Sequence, residues 1–524
     1  MDGHTEPELL LRNGRVRVMD DERTEAESLL LRGSRIAAVG ATMEVEQAAT
    51  DPETVELDGR TVLPGFNDAH THVFSVGIEL IETDLSGADT RDEALKLLAA
   101  NADDTPPGEW VLGFSYDEST WPEGERAYLT RSDLDAISTE HPIAATRVDG
   151  HTVSLNSMGL DTVAFSNHDD VVRSDGEPTG RVVEDAAWEA KAASYPEPDR
   201  AAEALLAATE RYHELGVTSV QTMSGLTAVR DQGSIDMEAL FETWRRDELE
   251  LRVTYYVRAD QVESLVDLEL PHGFGDDRLR IGGIKAFSDG AIGSQTANLY
   301  GEFADDPGNS GTMVNDAATL REWYARAVRA NQQAVTHSIG GAGIDIVVDQ
   351  YAAVIEEFNL EDHRFRIEHL ELATDEALER IADLGIVASM QPNFLQWSTE
   401  GGLYESRLGT ETLPRNNRFA DVLAADIPLA FGSDKMPPGP LYGIDHAVTA
   451  PHESQQLTVD QAIAAYTRGG AYAESMETEK GTLEPGKLAD AVILDSDPFN
   501  APEHISDIDV VGTILDGTFV HRSF

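Results

Sequence analysis

Two histidines two residues apart, His70 and His72, close the run Thr61-Val-Leu-Pro-Gly-Phe-Asn-Asp-Ala-His-Thr-His. On an extended chain residues i and i+2 point to one side, and neutral imidazole is the commonest metal ligand among the side chains. Four further stretches place a ligating group at the end of what reads as a β-strand. They are Lys285 after Ile281-Gly-Gly-Ile, His337 after Gln333-Ala-Val-Thr, His369 after Phe365-Arg-Ile-Glu, and Asp434 after Leu429-Ala-Phe-Gly-Ser. A (β/α)8 barrel gathers its strand ends at one face, where catalytic groups meet. Two His, a Lys, two more His and an Asp, in that order, would furnish a metal-hydrolase site. Any one of these histidines alone is more often a structural residue; the weight lies in their common position.

Lys285 ends an apolar strand, where a charge is costly unless paired or neutralised, and the chain holds only six lysines. Burial lowers an amine's pKa, and a neutral amine can take up CO2 as a carbamate whose two oxygens suit two divalent ions. The plainer role is an ion pair with Asp289 or with a substrate carboxylate. Asp434 is a carboxylate placed to orient a water molecule and accept its proton.

The elements that must hold these groups can be counted. Gly216–Met223, Leu251–Val257 and Gly385–Gln391 read as three more buried strands, making eight with the five above. Helical patterns over 201–215, 320–332 and 375–384 lie between strands. Strand alternating with helix argues for parallel sheet, and eight strands favour a closed TIM barrel over an open doubly wound sheet. No Gly-x-Gly-x-x-Gly follows an early strand, so a Rossmann nucleotide site has no support. Both ends are β-rich. Leu9-Leu-Leu-Arg, Asn13-Gly14 and Arg15-Val-Arg-Val read as a hairpin, as do the runs around Gly33-Ser34 and Asp516-Gly517. The expectation is an α/β protein in which residues 1–63 and 481–524 build one β-sandwich domain and residues 64–480 the barrel. An inserted α+β subdomain at about 85–198 is expected over the barrel mouth, since long insertions near an active face are usually functional.

Composition narrows the function classes. The formal net charge is −57, from 39 basic and 96 acidic residues dispersed along the chain. Such a surface repels nucleic acid and anionic membranes, so neither is expected as a partner. Salt screens the self-repulsion, which points to a halophilic microbe. The chain has no Cys, so disulfides and thiolate metal sites are excluded. No secretory apolar region opens it and no run reaches the ~18 apolar residues of a membrane span. A cytoplasmic location is the expectation.

Pro64-Gly-Phe-Asn-Asp-Ala-His-Thr-His72, Arg366-Ile-Glu-His369, Gly432-Ser-Asp434 and Gly481-Thr-Leu-Glu-Pro-Gly-Lys-Leu-Ala-Asp490 resemble the amidohydrolase superfamily. The resemblance spans nearly the whole chain. Val148-Asp-Gly-His-Thr-Val-Ser-Leu-Asn156, Gly176-Glu-Pro-Thr-Gly180, Ile284–Ala297 and Ser389-Met-Gln-Pro392 resemble the branch containing N-substituted formamide deformylases. The resemblance implies a TIM barrel with a β-sandwich from both termini. It also implies a binuclear centre on His70, His72, carboxylated Lys285, His337, His369 and Asp434. The implied cofactors are two divalent ions, zinc first, with manganese, iron or nickel also compatible with mixed nitrogen and oxygen ligands, and CO2 as the carbamate on Lys285. The implied reaction cleaves the C–N bond of a small linear N-acyl or N-formyl amine by an activated hydroxide, with Asp434 as general base and then acid. His151 resembles a position that reaches the mouth to bind substrate or the oxyanion. A homodimer is the family-level expectation. One departure stands out: the branch carries an Asp soon after its third metal His, and His337-Ser-Ile-Gly-Gly341 lacks it. Three rival readings are a cyclic amide hydrolase, imidazolonepropionase-like or dihydroorotase-like, a mononuclear site with Lys285 bare, and a catalytically inactive barrel serving as a binding or regulatory protein.

Overall fold

A computed structural model of the chain describes residues 6–148, 150, 152–166, 168–194, 198–223 and 234–524. Eight parallel strands form its central sheet: β1 (Phe66–Thr71), β2 (Val217–Met223), β3 (Arg252–Arg258), β4 (Leu279–Phe287), β5 (Gln333–Ser338), β6 (Arg366–His369), β7 (Val387–Met390) and β8 (Leu429–Phe431). They pair in chain order from β1 to β8. The last strand returns to the first: Asp434 N donates to His70 O at 2.7 Å, and Ser433 N donates to Asp68 at 2.9 Å. The result is a nearly closed eight-stranded parallel barrel. Nearly every residue of these strands is buried, as parallel strands covered on both faces require.

The three helices read from periodicity are present, at Pro198–Glu214, Ala317–Arg329 and Asp375–Leu384. The third shows why its limits were readable. Thr374 accepts the Ala377 N–H at its start, and Gly385 takes a left-handed φ of +68° at its end, where L-residues with a Cβ are disfavoured.

Two further sheets are built from the termini. One pairs Arg35–Gly40, Ser28–Arg32, Glu8–Arg12 and Glu53–Glu56; the other pairs Thr518–Arg522, Val510–Leu515, Ala491–Leu494, Thr61–Pro64, Arg15–Arg17 and Glu25–Ala26. Leu11, Val16, Leu29, Val55, Ile493 and Ile514 share one buried core, so both sheets and both ends of the chain meet in it. Thr61–Pro64 lies antiparallel to Ala491–Leu494 and runs on into β1. The hairpins at Gly33-Ser34 and Asp516-Gly517 form as read. The one at Asn13-Gly14 does not. Glu8–Arg12 pairs in one sheet and Arg15–Arg17 in the other, so this turn carries the chain between sheets. An Asn-Gly pair fixes the turn's φ > 0, here +60° at Asn13, but not which strand the chain meets next.

By its contacts the chain divides into two compact units. One comprises Met1–His72, Glu210–Ser224 and Leu249–Phe524, and holds the barrel and the terminal sheets. The other comprises Val73–Thr209 and Gly225–Glu248. It is organised on a mixed sheet of six strands, with Val111–Tyr116 parallel to Ile143–Arg147 and Ile143–Arg147 antiparallel to Thr152–Leu155. Trp121 and Tyr116 are fully buried in its core.

Candidate metal centre

The ends of β1, β4, β5, β6 and β8 carry His70 and His72, Lys285, His337, His369 and Asp434. The structure brings His70, His72 and Asp434 together, each offering one ligand atom within 4.8 Å of the others. His72 Nε2 lies 3.1 Å and His70 Nε2 3.7 Å from Asp434 Oδ1. The His369 ring is 5.0 Å from the His70 ring and 4.4 Å from the His337 ring, centroid to centroid. Phe287 connects the remaining member, its ring 5.3 Å from the His337 ring and 5.0 Å from Lys285 Nζ. His151 lies outside the described residues.

The donor set fits a metal. Three of the four histidines commit one ring nitrogen to a protein oxygen outside the cluster. His72 Nδ1 donates to Met223 O at 3.0 Å, and His337 Nε2 donates to Gly290 O at 3.0 Å. His70 Nδ1 is 2.5 Å from Glu368 Oε2. A ligating histidine typically holds such a partner on its second nitrogen, which fixes tautomer and ring orientation. His369 Nδ1 is buried with no hydrogen-bond partner among the described residues, while its ring stacks on Phe394 at 5.8 Å. Burial, then the charge of Lys285, lowers His70 to about 4 and His337 to about 3. Burial and the His337 ring hold His369 well below the usual histidine value. These rings are neutral at physiological pH, the form that ligates.

Asp434 is held low as well. Burial pushes its carboxyl up, but the His72 hydrogen bond and the facing imidazoles of His70, His72 and His369 outweigh it. Asp434 and Lys435 have φ of +48° and +61°, and His369 and Leu370 +70° and +50°. Left-handed backbone on residues other than Gly is uncommon and clusters at functional sites. Gly432 is required by the close approach of β8 to β1, because a Cβ there would collide with the His70 backbone nitrogen.

Lys285 is 2 % exposed, and burial lowers its amine to about 8. The ion pair with Asp289 is not formed. Among the described residues Lys285 has no carboxylate within 4.0 Å, and Asp289 is otherwise occupied. Its Oδ1 accepts the Ile339 N–H at 3.1 Å, and its Oδ2 accepts the N–H groups of Gly340 and Asn298 at 2.8 Å each. Asp289 thereby holds the two residues that lead into the helix Gly341–Phe358, whose N-cap, Gly340, has no side chain, while the first-turn N–H groups of Ala342 and Gly343 donate to Asn298 O at 3.1 and 3.3 Å.

Three buried groups escaped the reading of the sequence. Glu368 links Arg366 and His70: Arg366 Nε donates to it at 2.9 Å and Arg366 Nη2 lies 2.8 Å away. Burial pushes Glu368 up, but Arg366 and the His70 contact outweigh it and bring the carboxyl to about 2. Arg366 is itself fixed by Gln221, Tyr256, Ala69 O and Ser389 inside the barrel. Asp68 accepts from Ser433 Oγ at 2.5 Å and Ser433 N, tying the β8 loop to β1, and burial raises it to about 7. Arg366 and Glu368 had a readable signal, two charged residues at i and i+2 on one face of a buried strand.

A sequence model described as "Amidohydrolase family" matches residues 53–521. "Protein LONG AFTER FAR-RED 3" of Arabidopsis thaliana is 30% identical over 97% of this chain and 91% of its own length. "N-substituted formamide deformylase" of Arthrobacter pascens is 29% identical over 97% of each chain. A solved structure titled as an uncharacterized metal-dependent hydrolase from Pyrococcus furiosus superposes with a TM-score of 0.80 at 28% identity, covering 94% of this chain and all of its own.

Proposed function

This chain belongs to the amidohydrolase family, and we propose that it is a metal-dependent hydrolase cleaving the C–N bond of a small linear N-formyl or N-acyl amine. One observation carries the reading: four histidines and a low-pKa carboxylate meet at the barrel strand ends, three of the rings anchored by one nitrogen. His70, His72 and Asp434 would hold one divalent ion. His337 and His369 would hold a second, zinc first by ligand type, with Lys285 joining the two sites as a carbamate. That carbamate would form by addition of the Lys285 amine to CO2, an N–C bond replacing one C–O π bond and one amine proton passing to water. Bound ions would bring the pKa of water from 15.7 towards ~7 and polarise the scissile carbonyl.

Within that site the chain's own groups do the rest. Asp434 accepts the proton of the attacking water as its oxygen joins the carbonyl carbon. It returns that proton to the nitrogen as the C–N bond breaks, leaving a carboxylic acid and an amine. His70, fixed by Glu368, keeps its Nε2 directed at Asp434 throughout. The linear N-acyl class is supported by the resemblance to the formamide deformylase over nearly the whole chain. A second reading, a barrel with a regulatory role and no turnover, is favoured by the relative whose name states no reaction. The test is metal quantification with a screen of formamides, acyl amines, N-acyl amino acids and cyclic amides in concentrated KCl. Metal with turnover of linear amides is expected, abolished in His70→Ala and Asp434→Asn. Metal without turnover of any amide would favour the regulatory reading.

A further inference from the structure

Gln391 follows β7 directly and is fully buried, and both polar atoms of its carboxamide, Oε1 and Nε2, lack a hydrogen-bond partner among the described residues. Among the described residues no other side chain has two such atoms. A buried amide left unmatched is rare and calls for a reason. Its neighbour Asn393 shows the ordinary arrangement, with Nδ2 donating to Ser433 O at 2.7 Å and Met436 O at 2.6 Å, so that it pins the loop carrying Asp434. Gln391 pins nothing.

Its direction follows from the strand. Gln391 keeps an extended backbone, φ −116° and ψ 92°, so the alternation of β7 continues through it. Ser389, two residues earlier, points into the barrel, where its Oγ accepts from Arg366 at 3.1 Å. Gln391 therefore points to the same interior, one step nearer the catalytic face. Its neighbours on either side are the ends of β6 and β8, which carry His369 and Asp434, and Gly432 N donates to Met390 O at 3.0 Å beside it.

We propose that Gln391 is the specificity-determining residue of this site, its carboxamide oxygen accepting the N–H of a secondary amide substrate. A carboxamide oxygen is an acceptor, and an amide that still carries its hydrogen offers the matching donor. A tertiary amide has no N–H and leaves Oε1 unmatched. The inference rests on the hydrolase reading above and adds the class of amide accepted.

The experiment compares the metal-loaded full chain with Gln391→Met, a swap of similar volume without polar atoms. Kinetics on N-butylformamide and N-butyl-N-methylformamide are run beside the melting temperature, metal content and calorimetric titration with N-butylurea. The variant is expected to keep its metal and to melt at or above the wild-type temperature, because no protein hydrogen bond is lost. It should lose roughly tenfold or more in kcat/KM on the secondary formamide and much less on the tertiary one. N-butylurea should bind the variant correspondingly more weakly. A melting temperature several degrees lower would show that Gln391 has a structural partner and overturn the proposal. So would equal losses on the two formamides, which would place its role with the reaction common to both. If neither protein cleaves any amide, the hydrolase reading fails by itself, and the titration still decides: equal N-butylurea affinities overturn the role of Gln391, weaker binding by the variant upholds it.

Discussion

Replacing Glu368 with Gln tests whether the second nitrogen of His70 is held by a charge. Glu368 and Arg366 are both fully buried and hydrogen-bonded to each other, with His70 Nδ1 on the other carboxylate oxygen. The substitution preserves shape and removes one charge, so the Arg366 guanidinium is left buried without its counter-ion. Breaking a buried pair from one side costs roughly 3–5 kcal/mol. The carboxyl itself gives a matching figure: a fall from 4.5 to about 2 corresponds to about 3 kcal/mol of folding free energy. Because the folded value is the lower one, this contribution is complete above the unfolded carboxylate range near 4.5 and disappears as pH falls towards about 2. A second effect falls on His70. One oxygen of Gln can serve Arg366 or His70 but not both, and its NH2 faces the His70 N–H, so the ring must turn or change tautomer. Loss of such a partner typically weakens metal binding 10–100-fold. The assay is urea denaturation at fixed KCl, with and without chelator, together with metal competition titrations. Glu368→Gln should lose about 3 kcal/mol without metal and bind metal at least tenfold more weakly. The double variant Arg366→Met/Glu368→Gln should recover part of the stability, because no unpaired charge remains, while its metal affinity stays low. The reasoning is refuted if the single variant stays within about 0.5 kcal/mol of wild type, the range of ordinary surface changes, or if the double variant loses more than the two single variants added together.

Gly432→Ala should disorganise the closure between β8 and β1, because the new methyl group collides with the His70 backbone; the expected outcome is loss of bound metal with most of the far-UV circular dichroism retained, and normal metal content would contradict it. Protein prepared under 13C-labelled bicarbonate should show a carbamate carbon signal that is absent from Lys285→Arg; its absence from the metal-loaded wild type would leave Lys285 as a bare amine. The net charge of −57 predicts that the melting temperature rises as KCl increases from about 0.1 M, where the screening length is ~10 Å, to about 1 M, where it is ~3 Å. A melting temperature independent of KCl over that range would argue against self-repulsion as a main destabilising force.

The barrel was legible because each strand carries its own evidence, a short apolar run ending in a polar group, and the order of those runs is the order of the strands in the sheet. His70, His72, His337, His369 and Asp434 could be named for that reason. What was not legible depends on partners far away in the chain. Asn13-Gly14 announces a turn, yet whether it makes a hairpin is decided by the strands at Ser28–Arg32 and Thr61–Pro64 that compete for its two flanks. The seat of Asp289 beneath the backbone of Ile339 and Gly340 is invisible locally, since the carboxylate arrives from the end of another strand. Gln391 illustrates the limit most plainly. Its position in a short motif is evident from the residues, but its lack of protein partners is a property of every neighbouring element together.

The pairing of Thr61–Pro64 with Ala491–Leu494 has a bearing on how the molecule is made. The segment that leads straight to His70 is secured by residues translated long after it. Until Ala491–Leu494 have been made, the strand that leads to the first ligand pair has one open edge. A chain that stops before Ala491 therefore lacks the partner of the very segment that delivers those ligands to the catalytic face.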